Sequence, residues 1–167
     1  MSIKVGVQYE ASQILTGDVL VWLDADVYVI SSVNSTFFDI VAPKELANYM
    51  GQHYNNGPET GFISYNRNHH AFNTFMNRFV EVYYSDKIYD LVPPVDTSAW
   101  WEVYKSMPEE YFYSVARNSA LSHVFHVSEL RQWLGHAKGG IKNRDPETVD
   151  KRAFHVIPRE KIQHALK

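Results

Sequence analysis

The sequence predicts an α/β domain in which a mixed sheet is flanked by helices, and two patterns lead to this. Short apolar runs with β-branched members, such as residues 19–23, are typical of buried strands. Other segments, such as residues 71–84, place apolar and aromatic side chains at helical spacing. The chain has 167 residues, 45% of them hydrophobic, and no internal repeat or long linker divides it. One domain over residues 1–167 is therefore predicted.

The elements of the first part follow from spacing and from turn residues. Apolar residues at near-helical spacing predict a helix over residues 5–15, and Thr16-Gly17-Asp18 is typical of a helix stop and turn. Residues 19–23 predict a buried strand of a parallel sheet, and the extended pattern resumes over 27–30. A proline suited to a first helical turn opens a short helix predicted over 43–50.

The later elements are predicted in the same way. Asp96 is placed to cap a helix, and Gly135 to end one. In chain order the predicted elements are a strand over 60–65, helices over 71–84 and 100–104, a strand over 121–127, a short helix over 128–134 and a final helix from residue 158.

Composition narrows the classes of function. A net charge of -3 argues against a dedicated nucleic-acid binder, whose phosphate contacts need a basic face. The absence of cysteine excludes a disulfide scaffold, a thiolate zinc site and a cysteine nucleophile, and it suits a reducing cytoplasm. No segment reaches the roughly 18 apolar residues of a membrane span, and the first residues lack the apolar stretch of a signal peptide. A cytoplasmic protein is expected.

Two carboxylates, Asp24 and Asp26, follow the apolar run 19–23 directly. Ligands of open α/β sheets bind outside the carboxyl ends of strands, and hard divalent cations prefer oxygen ligands. Two carboxylates at such a position repel each other unless a cation joins them. The pair therefore indicates a metal site, although an acidic pair in a surface turn is the simpler interpretation of the spacing alone.

A second pattern is His136-x-x-Gly139-x-x-Lys142. A neutral imidazole completes manganese sites, glycine lets the backbone approach a phosphate closely, and lysine neutralises phosphate charge. By itself, a histidine beside a basic loop is more often only solvated.

Together, these patterns resemble the signature of the GT-A glycosyltransferases (the nucleotide-diphospho-sugar transferases), in the family 8 branch of glycogenin-like and galactosyltransferase-like enzymes. The resemblance covers residues 6–142. It implies that Asp24, Asp26 and His136 bind Mn²⁺ or Mg²⁺, with Asp24 also among the donor-binding residues. It further implies that Lys142 contacts the diphosphate and that Gly139 lies against the phosphates.

Two intermediate stretches match the same family. Glu59-Thr60-Gly61 resembles the start of its Asn-Ala-Gly strand, which touches the donor sugar, with Glu59 in the place of the asparagine. Asp96 resembles its aspartate that hydrogen-bonds sugar hydroxyls. The resemblance thus implies donor contacts for Thr60 and Gly61 and catalytic, sugar-orienting roles for Glu59 and Asp96. The alternatives are a turn acid for Glu59 and a helix cap for Asp96.

The chain departs from the family at its start. Family members begin with a βαβ region of about 80 to 100 residues, whereas Asp24 here comes early in the chain. We therefore expect a truncated GT-A fold that lacks much of the N-terminal nucleotide-binding half. Such a sheet has an open edge, which a homodimer would cover.

The predicted function is metal-dependent transfer of a hexose from a UDP-sugar, UDP-glucose or UDP-galactose, to an unknown saccharide, protein or lipid acceptor. The resemblance implies retention of the anomeric configuration, and slow hydrolysis of the donor when water replaces the acceptor. The alternative is a catalytically silent nucleotide-sugar or carbohydrate-binding module. A metal-dependent phosphohydrolase ranks lower, because no further acidic cluster suits a two-metal site. His53, His69 and His70 are interpreted as surface or acceptor-loop residues.

Overall fold

The computed structural model describes residues 3–52, 57–116 and 124–137. The helices and strands, in chain order, are α1 (Ile3–Ile14), β1 (Val19–Leu23), β2 (Val27–Val29), α2 (Ser35–Val41), β3 (Ala47–Gln52), β4 (Pro58–Asn66), α3 (Phe72–Tyr84), α4 (Asp96–Lys105), β5 (Phe112–Ser114), α5 (Val124–Val127) and β6 (Leu134–His136). Two short 3-10 helices, Lys87–Asp90 and Glu109–Tyr111, precede α4 and β5. This confirms the α/β class.

The main sheet has four strands in the order β1-β4-β3-β5. β4 runs antiparallel to both of its neighbours, β1 and β3, while β5 runs parallel to β3. It follows that β1, β3 and β5 all point in one direction. Their carboxyl ends share one edge of the sheet with the amino end of β4, and this edge is where ligands of α/β sheets usually bind.

Hydrophobic residues pack on both faces of the main sheet. Successive side chains of a strand point to opposite faces, so one strand contributes to both clusters. In β4, Ile63 and Tyr65 pack into the larger core, which α1, α3 and α4 complete. Phe62 points the other way, into a second cluster with Phe125 and Trp133. β4 is accordingly buried along almost its whole length, as expected of a central strand.

A small second sheet lies beside the main one. It consists of β2 and β6, which pair antiparallel with Val27 opposite His136 and Tyr28 opposite Gly135. Glycine at 135 lets the Tyr28 ring lie against the backbone, because a Cβ at this position would lie 2.5 Å from the ring and Tyr28 would have to move. This pairing brings residue 136 back to the chain just after β1.

The strand predicted over 19–23 is confirmed as β1, but the expectations that it is buried and that it belongs to a parallel sheet are wrong. β1 pairs antiparallel with β4 and has no other partner among the described strands. Val21 and Leu23 are 40% and 39% exposed, so only one face of β1 packs against the core. An apolar run does not reveal how many partners a strand finds, and this one is a sheet edge.

Three other predicted elements differ from the structure. The helix expected over 43–50 is instead the strand β3, which is held by partners on both sides. The strand expected over 121–127 is a helical turn, α5, where it is described. The helix expected over 128–134 is a bridge at Ser128, followed by turns that lead into β6, where Gly135 continues a strand instead of ending a helix.

The other expected elements agree with the structure where it describes them. The helices α1 and α3, the turn after α1, the extended pattern of β2, the strand within β4 and the helix within α4 were predicted. Helix α2 and strand β5 were not predicted. In the described ranges no helix has the length and apolar character needed to cross a membrane. The helix expected from residue 158 lies outside the described residues.

Candidate functional site

The candidate site forms where the carboxyl end of β1 meets the amino end of β4. The amide of Asp24 donates to the carbonyl oxygen of Gly61 at 2.9 Å, which extends the pairing of the two strands by one residue. The amide of Val27 then donates to the carbonyl oxygen of Asp24, also at 2.9 Å. The chain turns between these bonds, so the side chains of Asp24 and Asp26 face different surroundings.

Asp24 joins an ionic cluster, here called the Lys4 cluster, made of Lys4, Asp24, Thr60 and Asp96. The ammonium of Lys4, in α1, lies 2.8 Å from the carboxylate of Asp24 and 2.8 Å from that of Asp96. It also donates to the carbonyl oxygen of Thr60 at 2.8 Å and to its hydroxyl at 3.0 Å. The indole N–H of Trp22 donates to Asp24 at 2.7 Å. The one cation of α1 thus joins residues from β4, from α4 and from the turn that follows β1.

Asp96 does not cap α4. The cap residue is Val95, and no side chain makes a capping hydrogen bond there. Asp96 lies in the first turn, where a carboxylate interacts favourably with the helix dipole. Its side chain accepts from the hydroxyl of Thr60 at 3.1 Å, and that hydroxyl also lies 2.9 Å from Thr97. The cap alternative is therefore wrong, and the carboxylate is turned toward the candidate site.

Asp26 has a different partner. Its carboxylate lies 2.9 Å from Nε2 of His136, 110 residues further along the chain. The β2–β6 pairing and a hydrogen bond from the amide of Ala137 to the carbonyl oxygen of Asp26, at 2.8 Å, position the two residues. The side chain of His136 is 3% exposed and packs against the ring of Phe125, with ring centroids 4.8 Å apart. We call this contact the Asp26–His136 pair.

Glu59 and Gly61 lie beside the Lys4 cluster at the start of β4. A carboxylate oxygen of Glu59 accepts from the amide of Gly61 at 3.2 Å. A Cβ at Gly61 would lie 3.2 Å from that oxygen and 3.3 Å from the Phe125 ring, so glycine permits a close approach. Glu59 lies in a strand, so the turn-acid alternative is wrong as a description of its position.

A divalent ion fits the Asp26–His136 pair better than it fits the whole Asp24-x-Asp26 motif. Among residues 3–52, 57–116 and 124–137, no three His, Cys, Asp or Glu side chains are grouped to hold a metal ion. Asp24 is engaged by Lys4. The 2.9 Å between Asp26 and His136 is close to the roughly 3 Å between adjacent ligands of an octahedral ion with bonds of about 2.1 Å. Mg²⁺ is characteristically bound by one or two carboxylates and by substrate phosphates, and Asp26 supplies one such carboxylate.

Lys4 is the residue that sequence reasoning missed. It belongs to no motif, and its only sequence signal is that it is the one lysine before residue 44. Gly139, Lys142 and His53, by contrast, lie outside the described residues. His69 and His70 stack on each other near Tyr111, away from both groups.

Comparison with models of protein families finds no matching family, and comparisons with curated proteins and with solved structures also find no match.

Proposed function

We propose that this chain is a metal-dependent glycosyltransferase that transfers a hexose from UDP-glucose or UDP-galactose to an acceptor hydroxyl. One observation carries the proposal. The turn after β1 directs Asp26 to a histidine 110 residues away, while Asp24 meets Asp96 at a shared lysine. An imidazole–carboxylate pair and a cluster of polar groups at the ligand-binding edge of a sheet suit a donor with a diphosphate at one end and a sugar at the other.

The reaction requires a leaving diphosphate to be stabilised. The bond between the anomeric carbon and the β-phosphate oxygen breaks, and its electron pair goes to that oxygen. The acceptor oxygen forms the new bond, and its proton passes to the departing diphosphate. Bound Mn²⁺ or Mg²⁺ supplies Lewis-acid stabilisation of the diphosphate charge. Asp26 and His136 would hold this ion, and Lys142 would contact the phosphates beside Gly139.

The Lys4 cluster suits the sugar end of the donor. Asp24 and Asp96 carry acceptor oxygens, and their side chains are 29% and 28% exposed, so sugar hydroxyls can reach them. Lys4 keeps both carboxylates in place and offsets their mutual repulsion. Glu59, next to Thr60 and Gly61, would orient the same sugar and stabilise positive charge at the anomeric carbon.

Calorimetric titration with UDP-glucose and UDP-galactose tests the proposal, with Mn²⁺ present or removed by EDTA. We expect metal-dependent binding, followed by release of UDP that is slow in water and faster with an acceptor. Failure of both UDP-sugars to bind in the presence of Mn²⁺ would contradict the proposal.

A catalytically silent binding module is the second candidate, and the Lys4 cluster itself favours it. The ammonium already compensates the charge of both Asp24 and Asp96, as it would in a site that only holds a neutral sugar. The same titration separates the candidates, since metal-dependent binding without any release of UDP would favour the module.

A further inference from the structure

An open cavity of about 590 Å³ lies at the far end of helix α4 from Asp96. Its walls include three aromatic side chains, Tyr49, Trp101 and Tyr104. The rings of Trp101 and Tyr104 stack at 4.4 Å with an angle of 12° between their planes. Both side chains remain partly exposed. The volume falls within the range of about 300–1,000 Å³ typical of small-molecule sites.

The cavity opens on the same edge of the sheet as the candidate site. It includes Tyr49 of β3 and Ser114 at the carboxyl end of β5, strands that point in the same direction as β1. Neighbouring strands lie about 4.8 Å apart, so the cavity is separated from the end of β1 by roughly 10–15 Å. That is about the length of a disaccharide.

Helix α4 links the two places directly. Thr97, which contacts Thr60 of the Lys4 cluster, lies one turn before Trp101 on the same face of the helix. Gly57 lies against both side chains, because a Cβ there would be 3.6 Å from Thr97 and 3.7 Å from Trp101. The positive φ of 88° at Gly57 suits glycine. A ligand on Trp101 is thus adjacent to the place proposed for the donor sugar.

The polar groups of the cavity favour a neutral ligand. Burial, Tyr104 and Glu109 raise the pKa of Tyr49, which is hydrogen-bonded to Tyr104, so the phenol of Tyr49 stays uncharged at neutral pH. The carboxylate of Glu109 repels anions. Among the residues that the structure describes, Lys105 is the one cation that lines the cavity, and it is paired with Glu102 at 2.6 Å. The described part of this wall therefore offers anions no unpaired positive charge, whereas it offers hydroxyl groups several acceptors.

We propose that this cavity binds a neutral saccharide and is the acceptor subsite of the enzyme. The apolar face of a pyranose ring would pack on the indole of Trp101, because the ring of Tyr104 is already stacked on Trp101 and packed against Trp100 and Phe112. Its hydroxyl groups would donate to Glu109 and to the phenol oxygens. The role as acceptor rests on the proposed function, whereas binding of the saccharide does not.

The test measures binding of maltose, lactose and cellobiose to the full chain by saturation-transfer NMR, without any nucleotide. We expect at least one of these disaccharides to bind. Trp101→Ala should weaken that binding roughly tenfold, the effect of losing one stacking ring. Glu109→Gln, an exposed change that leaves the packing intact, should weaken it about threefold through the loss of a charged acceptor.

Tyr89→Ala is the matched control, because Tyr89 is an aromatic residue that is 77% exposed and does not line the cavity. It should bind the disaccharide as the unchanged protein does, and all three variants should keep the affinity for UDP-glucose with Mn²⁺. The inference is overturned if none of the disaccharides binds. It is also overturned if Trp101→Ala and Glu109→Gln both bind like the unchanged protein.

The inference and the proposed function fail in different ways. Disaccharide binding that depends on Trp101, without metal-dependent UDP-sugar binding, would overturn the glycosyltransferase and leave a saccharide site. UDP-sugar binding and UDP release whose KM for the disaccharide is unchanged by Trp101→Ala would overturn the acceptor subsite alone.

Discussion

The Lys4 cluster and the Asp26–His136 pair each contain one aspartate of the Asp24-x-Asp26 motif but differ in chemistry and burial. The cluster is ionic, and both of its carboxylates are more than a quarter exposed. The pair places a carboxylate against an imidazole that is 3% exposed. Because the turn after β1 sends Asp24 and Asp26 to different partners, the proposed function gives the two aspartates of one motif different tasks, one at the sugar and one at the metal ion.

The two groups also depend on different parts of the fold. The cluster needs α1 and α4, which pack into the larger core on one face of the sheet. The pair needs the β2–β6 sheet, whose Leu134 packs with Trp133 in the second cluster. The two groups share the turn that follows β1, so a change of Asp24 or Asp26 itself affects both, whereas changes in α1 or α4 act mainly on the cluster and changes in the β2–β6 sheet mainly on the pair.

The largest expected effect comes from removing the carboxylate of the pair. Asp26→Ala should abolish metal-dependent UDP-sugar binding, because His136 alone cannot hold a divalent ion. Calorimetric titration with Mn²⁺ and with EDTA measures this. Asp39→Ala is the control, because Asp39 is an exposed aspartate of α2. This variant should bind UDP-sugars as the unchanged protein does. Unchanged metal-dependent binding by Asp26→Ala would remove this residue from the metal site.

Removing the cation of the cluster should mainly affect stability. Lys4→Met leaves Asp24 and Asp96 without their shared partner, and the lysine side chain is only 14% exposed. We expect the free energy of unfolding, measured in urea, to fall by about 2–3 kcal/mol. Lys105→Met removes an ion pair whose side chains are 53% and 49% exposed, and should cost less than about 0.5 kcal/mol. An equal fall in the free energy of unfolding in the two variants would contradict the role of Lys4 as the shared partner of Asp24 and Asp96.

Lys142→Ala tests whether a diphosphate bound beside the Asp26–His136 pair also contacts Lys142. The affinity for UDP should weaken by roughly 1–3 kcal/mol, the scale of one charged hydrogen bond. Lys44→Ala, an exposed lysine on the loop before β3, serves as the control. An unchanged affinity for UDP in Lys142→Ala would exclude Lys142 from the site.

Gly135→Ala should disturb the pair while sparing the cluster. The added Cβ would lie 2.5 Å from the Tyr28 ring, which must move and loosen the pairing that holds His136. We expect the free energy of unfolding to fall by about 1–2 kcal/mol and the Mn²⁺-dependent affinity for UDP-sugars to decrease. Gly17→Ala is the control, since its Cβ would meet its nearest neighbour only at 3.9 Å. An unchanged Mn²⁺-dependent affinity for UDP-sugars in Gly135→Ala would show that the Asp26–His136 pair does not depend on the β2–β6 sheet.

Local periodicity was sufficient to predict some elements and not others. α3 was predicted because Phe75, Met76 and Phe79 recur at helical spacing and are all buried. β3 was mistaken for a helix because its strand character comes from two neighbouring strands, which no local pattern reveals. In the same way, the antiparallel direction of β1 depends on β4, more than 30 residues later.

The sequence by itself determined the α/β class, the main helices and the positions of Asp24, Asp26, Asp96 and His136 as candidates, because these follow from short-range patterns and motifs. Only the tertiary structure decided that Asp24 and Asp96 meet at Lys4, that Asp26 faces His136, and that β1 is an edge. The physical reason is that ion pairs and strand pairing join residues far apart in sequence. Their geometry exists only after the chain has packed around its two hydrophobic clusters.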